Sequence, residues 1–136
     1  TDLRMTRFMI SLKDSINMVW KAMQVSEGGE IFVKKTPSMK ITEIAKAINP
    51  IAKFKIIGIR PGEKLHEQMV GSDDAEYTYD FKDYYKIISP LSNQSKIRKI
   101  IGNSKKVKKD FIYSSDHNDK FMTSNELKNF LNKNNK

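Results

Sequence analysis

The segment Ile59-Arg60-Pro61-Gly62-Glu63-Lys64-Leu65-His66-Glu67 concentrates the side chains of this 136-residue chain best suited to chemistry. Proline fixes one backbone angle and glycine tolerates a positive one, so Pro61-Gly62 predicts a tight turn holding Arg60 and Glu63 in nearly fixed relation. A guanidinium forks onto phosphate oxygens, and a carboxylate accepts hydrogen bonds from sugar hydroxyls, so the pair suits the diphosphate and ribose of a nucleotide. The same spacing also fits a surface turn closed by an Arg60–Glu63 ion pair, and the residues alone leave both readings open.

Arg7 offers a second cation. It lies between Thr6 and the apolar run Phe8-Met9-Ile10, so its neighbours anchor in the core while its own side chain emerges at a strand edge. The competing reading is an ordinary solvated arginine. His66 beside Glu67 invites a general-base role, but no nucleophile lies nearby, and a capping or ribose-side polar role fits better. Asp73-Asp74 and Asp80/Asp83 lack the alternating spacing and turn glycine of a calcium loop, and Ser114-Ser115-Asp116-His117-Asn118-Asp119 reads as a turn-rich connection.

The elements that must position these groups begin with an amphipathic helix after Ser11, carrying Leu12, Ile16, Val19, Trp20 and Met23 on one face and ending at Gly28-Gly29. A buried strand over 30–33 follows, then a helix capped by Thr42 with Ile44, Ala45 and Ile48 inward, stopped at Asn49-Pro50. Residues 54–59 read as a second strand leading into the Arg60 turn, and Leu65 and Met69, one turn apart, predict a third helix. Residues 77–88 predict one further strand. Thr123 and Glu126 form a capping box, with Met122 and Leu127 as its hydrophobic staple and Phe130 and Leu131 as the apolar face of a final helix.

Charge divides unevenly along the chain. Residues 1–90 hold 14 basic and 12 acidic side chains, whereas 91–136 hold 11 and 4, so the net charge of +9 belongs mainly to the second part. Lys96, Arg98, Lys99, Lys105, Lys106, Lys108 and Lys109 could meet phosphates of a nucleic acid or an anionic surface, yet no aromatic residue is interleaved to stack bases, and a flexible solvated linker is the simpler expectation. The organisation read from the sequence is therefore a mixed α/β lobe over 1–90, a basic flexible linker over 91–112, and a turn with a capped helix over 113–136.

With no cysteine and only His66 and His117 as histidines, neither a disulfide framework nor a thiolate metal site is available, and no metal ligands are assigned. No apolar stretch approaches the roughly 20 residues of a membrane helix, and the expectation is a cytoplasmic protein. The start, without Met and running at once into an apolar stretch, reads as the interior of a longer protein. No G-x-G-x-x-G fingerprint and no Tyr-x-x-x-Lys pair is present.

Taken together, MTRF at 5–8, GGEIFV at 28–33, PSMKITEIAKAI at 37–48 and IIGIRPGEKLHEQM at 56–69 closely resemble the C-terminal part of the UDP-N-acetylglucosamine 4,6-dehydratases (inverting), which are extended short-chain dehydrogenase/reductases of bacterial surface-glycan and flagellin-sugar pathways. The resemblance is dense over 1–90 and returns from Tyr113 to Leu131. It implies an α/β substrate-binding lobe whose N-terminal Rossmann domain is missing from this chain. That domain would bind NADP and carry every catalytic and cofactor-binding residue, so the chain alone is expected to be inactive.

The same resemblance implies the grip on UDP, with Arg7 and Arg60 on the diphosphate, Glu63 on a ribose hydroxyl, and Met5 and Thr6 flanking the pocket. It also implies a homo-oligomeric parent. A UDP-sugar 4-epimerase of the same superfamily would share the Arg60 and Glu63 arrangement. The rival from another class is a small basic module binding nucleic acid or another anion through 96–109.

Overall fold

The computed structural model describes residues 2–134. In chain order the elements are β1 (Thr6–Phe8), α1 (Leu12–Val25), β2 (Ile31–Lys34), β3 (Ser38–Lys40), α2 (Ile41–Ile48), β4 (Gln68–Val70), α3 (Ser72–Ala75), β5 (Thr78–Phe81), β6 (Tyr84–Ile87), α4 (Gln94–Ile101), β7 (Lys105–Lys106), β8 (Tyr113–Ser114) and α5 (Ser124–Asn134). The class is mixed α/β, as the sequence predicts, and the structure adds antiparallel pairing of β1 with β3 and within the larger sheet. The division is not the predicted one. Instead of a lobe, a linker and a tail, the chain interleaves two compact units, one formed up to Ser11 and from Thr36–Gln68 and from Ser114 onward, the other from Leu12–Lys35 and Met69–Tyr113.

The first unit is built on β1 and β3, paired so that Thr6, Arg7 and Phe8 face Lys40, Met39 and Ser38. Helices α2 and α5 pack on each other. Met39, Ala47 and Leu127 form the buried cluster, with Met9, Ile44, Met122 and Phe130 packed around it. The capping box at α5 forms as predicted: the Thr123 amide donates to Glu126 Oε2 at 2.7 Å, and the Glu126 amide donates to Thr123 Oγ1 at 3.3 Å. Helix α2 starts one residue before its expected cap, with Lys40 in the N-cap position and no side-chain bond there. Ala47 and Ile44 face that cluster, while Ile48, also expected inward, is exposed.

Two expected elements in this unit do not form. Residues 54–59 are irregular because Gly58 takes a positive φ of 74°, which breaks the two-residue repeat, and Ile56, Ile57 and Ile59 are exposed. The helix expected from Leu65 is absent because distant donors take its carbonyls. The Thr6 amide bonds Leu65 O at 3.1 Å, the Arg7 guanidinium bonds Lys64 O and Leu65 O, and the Ser115 amide bonds Glu67 O at 2.7 Å. A helical i to i+4 ladder needs those same acceptors.

The second unit is a four-stranded antiparallel sheet in the order β2-β6-β5-β7. The single strand expected over 77–88 is a hairpin, β5 and β6 joined by Lys82-Asp83. Phe32 and Phe81 bracket the Lys86 ammonium at 4.8 and 5.2 Å, and that ammonium also donates to Val25 O at 3.2 Å and lies 3.9 Å from the Glu30 carboxylate. Burial drives the Lys86 pKa down against the opposing pull of Glu30. The Glu30 carboxyl is driven up by burial, but hydrogen bonds from the Glu27 amide and the Ser26 hydroxyl outweigh this, leaving it below its ordinary value.

The expected flexible linker over 91–112 is largely ordered structure of this unit. Asn93 caps α4 by accepting the Lys96 amide at 2.9 Å, Ile100 is buried, and Gly102 ends the helix at φ 50°. Two of the seven basic side chains have local partners: Lys96 donates to Gly28 O, and Lys99 pairs with Glu27, each at 2.8 Å. Helix α1, in contrast, has no buried residue, and its whole predicted apolar face of Leu12, Ile16, Val19, Trp20 and Met23 is exposed.

Candidate functional site

Arg60, Pro61, Gly62 and Glu63 form the predicted turn. Proline takes the second position and Gly62, at φ 80°, the third, the arrangement of a type II turn, and the Glu63 amide donates to Arg60 O at 3.0 Å. The Glu63 carboxylate then turns back and accepts the Arg60 amide at 3.1 Å. The ion pair considered as the alternative is absent among the described residues, and both Arg60 and Glu63 are exposed. The turn therefore presents a guanidinium and a carboxylate outward on a backbone of fixed shape.

Arg7 is placed differently. Its Nη1 donates to Thr6 O at 2.7 Å and Leu65 O at 3.2 Å, its Nη2 to Lys64 O at 3.0 Å, and its Nε lies 3.5 Å from the Glu67 carboxylate. Arg7 thus joins β1 to the residues that directly follow Glu63. Met5 and Thr6 are buried, at 2% and 3% exposure, and the Thr6 carbonyl is one of the acceptors of the Arg7 guanidinium. The Met5 carbonyl accepts the Ile41 amide at 3.0 Å, tying β1 to the start of α2.

His66 is on no helix. Its Nδ1 is 2.8 Å from Thr6 Oγ1, which is itself 2.6 Å from Ser115 Oγ. Ser115 Oγ accepts the Glu67 amide at 2.9 Å and lies 3.2 Å from Thr6 O. Beyond it, Asp116 accepts the Ser114 hydroxyl at 2.6 Å and stands 3.0 Å from His117 Nδ1 and 3.8 Å from His66 Nε2. Burial raises the Asp116 pKa, but the Ser114 hydrogen bond, the backbone and the two histidines together hold it below its ordinary value. Asn118 donates to Thr36 O at 2.8 Å and to Ser38 Oγ at 2.9 Å.

The sequence places Ser115 and Asn118 in a turn-rich connection rather than in a site, and nothing local marks their partners. Thr6 and Ser115 are 109 positions apart, and neither lies in a periodic pattern. Of the acidic residues considered for metal binding, Asp80 pairs with Lys35, and Asp73 Oδ1 accepts the Ser72 hydroxyl at 3.4 Å. Among the described residues no helix is long and apolar enough to cross a membrane.

The family profile described as polysaccharide biosynthesis protein matches residues 1–89. The UDP-N-acetylglucosamine 4,6-dehydratase (inverting) of Campylobacter jejuni is 46% identical over 97% of this chain and 41% of its own length. A UDP-glucose 4-epimerase of Rickettsia canadensis is 36% identical over 96% of this chain and 39% of its own length. The X-ray structure of Pen from Bacillus thuringiensis superposes with a TM-score of 0.78 at 27% identity, covering 99% of this chain and 40% of that one. The chain thus spans about two fifths of the length of the relatives it matches. With its RPGEK turn and MTRF strand inside the matched region, the chain belongs to the polysaccharide biosynthesis protein family.

Proposed function

We propose that this chain is the UDP-holding, C-terminal part of an inverting UDP-N-acetylglucosamine 4,6-dehydratase that makes a 4-keto-6-deoxy sugar nucleotide for a bacterial surface glycan or a flagellin sugar. The observation that carries this reading is the Arg60–Glu63 turn. It displays one guanidinium without an internal partner among the described residues and one carboxylate whose second oxygen remains available, on a backbone closed by two hydrogen bonds. Arg60 takes the diphosphate by charge-assisted hydrogen bonds, and Glu63 accepts a ribose hydroxyl. Arg7 adds positive charge beside the turn while bracing it, and the buried Met5 and Thr6 flank the same pocket.

On this reading NADP supplies hydride transfer in the whole enzyme. The residues of this chain do not fit that cofactor: among the described residues no strand leads into a glycine-rich helix start, the opening of α2 at Ser38-Met39-Lys40-Ile41 has no glycine, and the sequence has no Tyr-x-x-x-Lys pair. Cofactor and catalytic residues are assigned to a Rossmann domain of the same parent protein, which assembles as a homo-oligomer in the cytoplasm. Dehydration is favoured over epimerisation by the higher identity to the C. jejuni enzyme, 46% against 36%.

Mass analysis of the product formed from UDP-N-acetylglucosamine by the protein of the complete gene tests the assignment. Loss of one water is the expected result, whereas an isomer of unchanged mass would establish the epimerase.

A further inference from the structure

Resting on the nucleotide reading of the Arg60–Glu63 turn, we propose that His66 and Ser115 are positioning residues for that turn, acting through the Thr6 hydroxyl. The reason lies in how the turn is anchored. On its N-terminal side, residues 56–59 make no backbone hydrogen bond among the described residues, and Ile56, Ile57 and Ile59 face solvent. The hydrogen bonds of Arg60 and Glu63 themselves stay inside the turn. What sets the turn against β1 is therefore the segment 64–67 on its C-terminal side.

That segment is held from two directions. From β1, Arg7 and the Thr6 amide take the carbonyls of Lys64 and Leu65. From the other side, Ser115 takes Glu67 twice, its amide donating to the carbonyl and its hydroxyl accepting the amide. The two anchors meet at Thr6 Oγ1, within 2.8 Å of His66 Nδ1 and 2.6 Å of Ser115 Oγ. Ser115 is fully buried and Thr6 nearly so, so neither hydroxyl has water to fall back on.

Proton counting shows why the imidazole matters. Each hydroxyl has one proton. If Ser115 donates to Thr6 O and Thr6 donates to Ser115, then Nδ1–H of His66 donates to Thr6 and every polar atom is paired. If Ser115 instead donates to Thr6 Oγ1, the Thr6 proton goes to an unprotonated Nδ1. The chain closes in both tautomers, and in both it closes on His66. Removing the ring leaves Thr6 Oγ1 one partner short and loosens the 64–67 anchorage of the turn, which displaces Arg60 from the phosphate.

Calorimetric and 31P NMR titrations of this chain with UDP test the idea, with affinities corrected for the folded fraction. Asparagine can offer an amide where Nδ1 stands; glutamine offers one nearer Nε2, away from Thr6. His66→Ala is expected to weaken UDP binding by about ten- to a hundredfold, the scale on which a displaced contact shows, and to change the bound 31P shifts. His66→Asn is expected to restore both, and Ser115→Ala to weaken binding as His66→Ala does.

Arg60→Ala distinguishes loss of the nucleotide contact from loss of its positioning. If the unaltered chain does not bind UDP, or Arg60→Ala binds it equally well, the nucleotide reading fails and this inference with it. If Arg60→Ala loses binding while His66→Ala binds like the unaltered chain, or if His66→Asn is as impaired as His66→Ala, the positioning role alone is overturned. Should His66→Ala not fold, the comparison passes to His66→Asn and His66→Gln: binding by the first and loss by the second supports the role, and equal affinity overturns it.

Discussion

At the residue scale, the two arginines expected to act alike are placed for different work. Arg60 stands outward on a closed turn, whereas Arg7 spends its guanidinium on three carbonyls and the Glu67 carboxylate. Lysine presents a single ammonium in place of a planar fork and cannot reproduce those directions. Arg7→Lys is therefore expected to lower stability by about 1–2 kcal/mol, judged from the hydrogen bonds lost and their partial exposure. Arg60→Lys is expected to leave it within about 0.5 kcal/mol, as for most surface changes. Denaturant unfolding of both variants checks the contrast, and equal effects would mean that Arg7 does not brace the turn. The turn was legible because Pro-Gly states its own geometry; the brace was not, because its acceptors lie 57 and 58 positions from Arg7.

At the element scale, the capping box at α5 and the buried cluster under it act together. Leu127 is 1% exposed within that cluster, so Leu127→Ala is expected to cost about 2–5 kcal/mol. Leu131→Ala, at a half-exposed position, should cost far less, and thermal unfolding of the pair measures the difference. The Glu126 carboxyl is held below its ordinary value first by the Thr123 amide and then by the Thr123 hydroxyl. A depressed folded-state pKa contributes stability that is complete above the unfolded value, about 4.5, and is lost as pH falls through the folded one. The amide signals of α5 should accordingly shift towards fraying as pH is lowered below that value, and Glu126→Gln should remove this acid-dependent component. The box was readable because its partners are three residues apart. Helix α4 was obscured by its charges, although Asn93 and the spacing of Ile97, Ile100 and Ile101 are a cap and an apolar face.

At the scale of the whole molecule, the chain reads as two interleaved units that no linear division into lobe, linker and tail could capture. Consecutive residues such as Ser11 and Leu12 belong to different units, and chain order alone carries no mark of that. Within one of them, Lys86 and Glu30 have side chains 4% and 1% exposed, so Lys86→Ala should leave a buried carboxylate without its cation and cost about 3–5 kcal/mol. Changing Glu30 to Gln in the same variant should recover part of that loss, which a double-mutant cycle reads directly. Trp20, the only tryptophan, lies on the exposed apolar face of α1. Its fluorescence should be open to acrylamide and iodide, and Trp20→Glu should change stability by no more than about 0.5 kcal/mol.

The central claim, a UDP grip on the Arg60–Glu63 turn, is tested most directly by titrating the 15N-labelled chain with UDP and mapping which amides move. The account predicts shifts centred on residues 60–67 and on Thr6 and Arg7, abolished by Arg60→Ala and little affected when Lys105 and Lys106 are both changed to Ala. Shifts centred on 96–109 that disappear steeply with added salt and survive Arg60→Ala would contradict it and make the chain a basic anion-binding module.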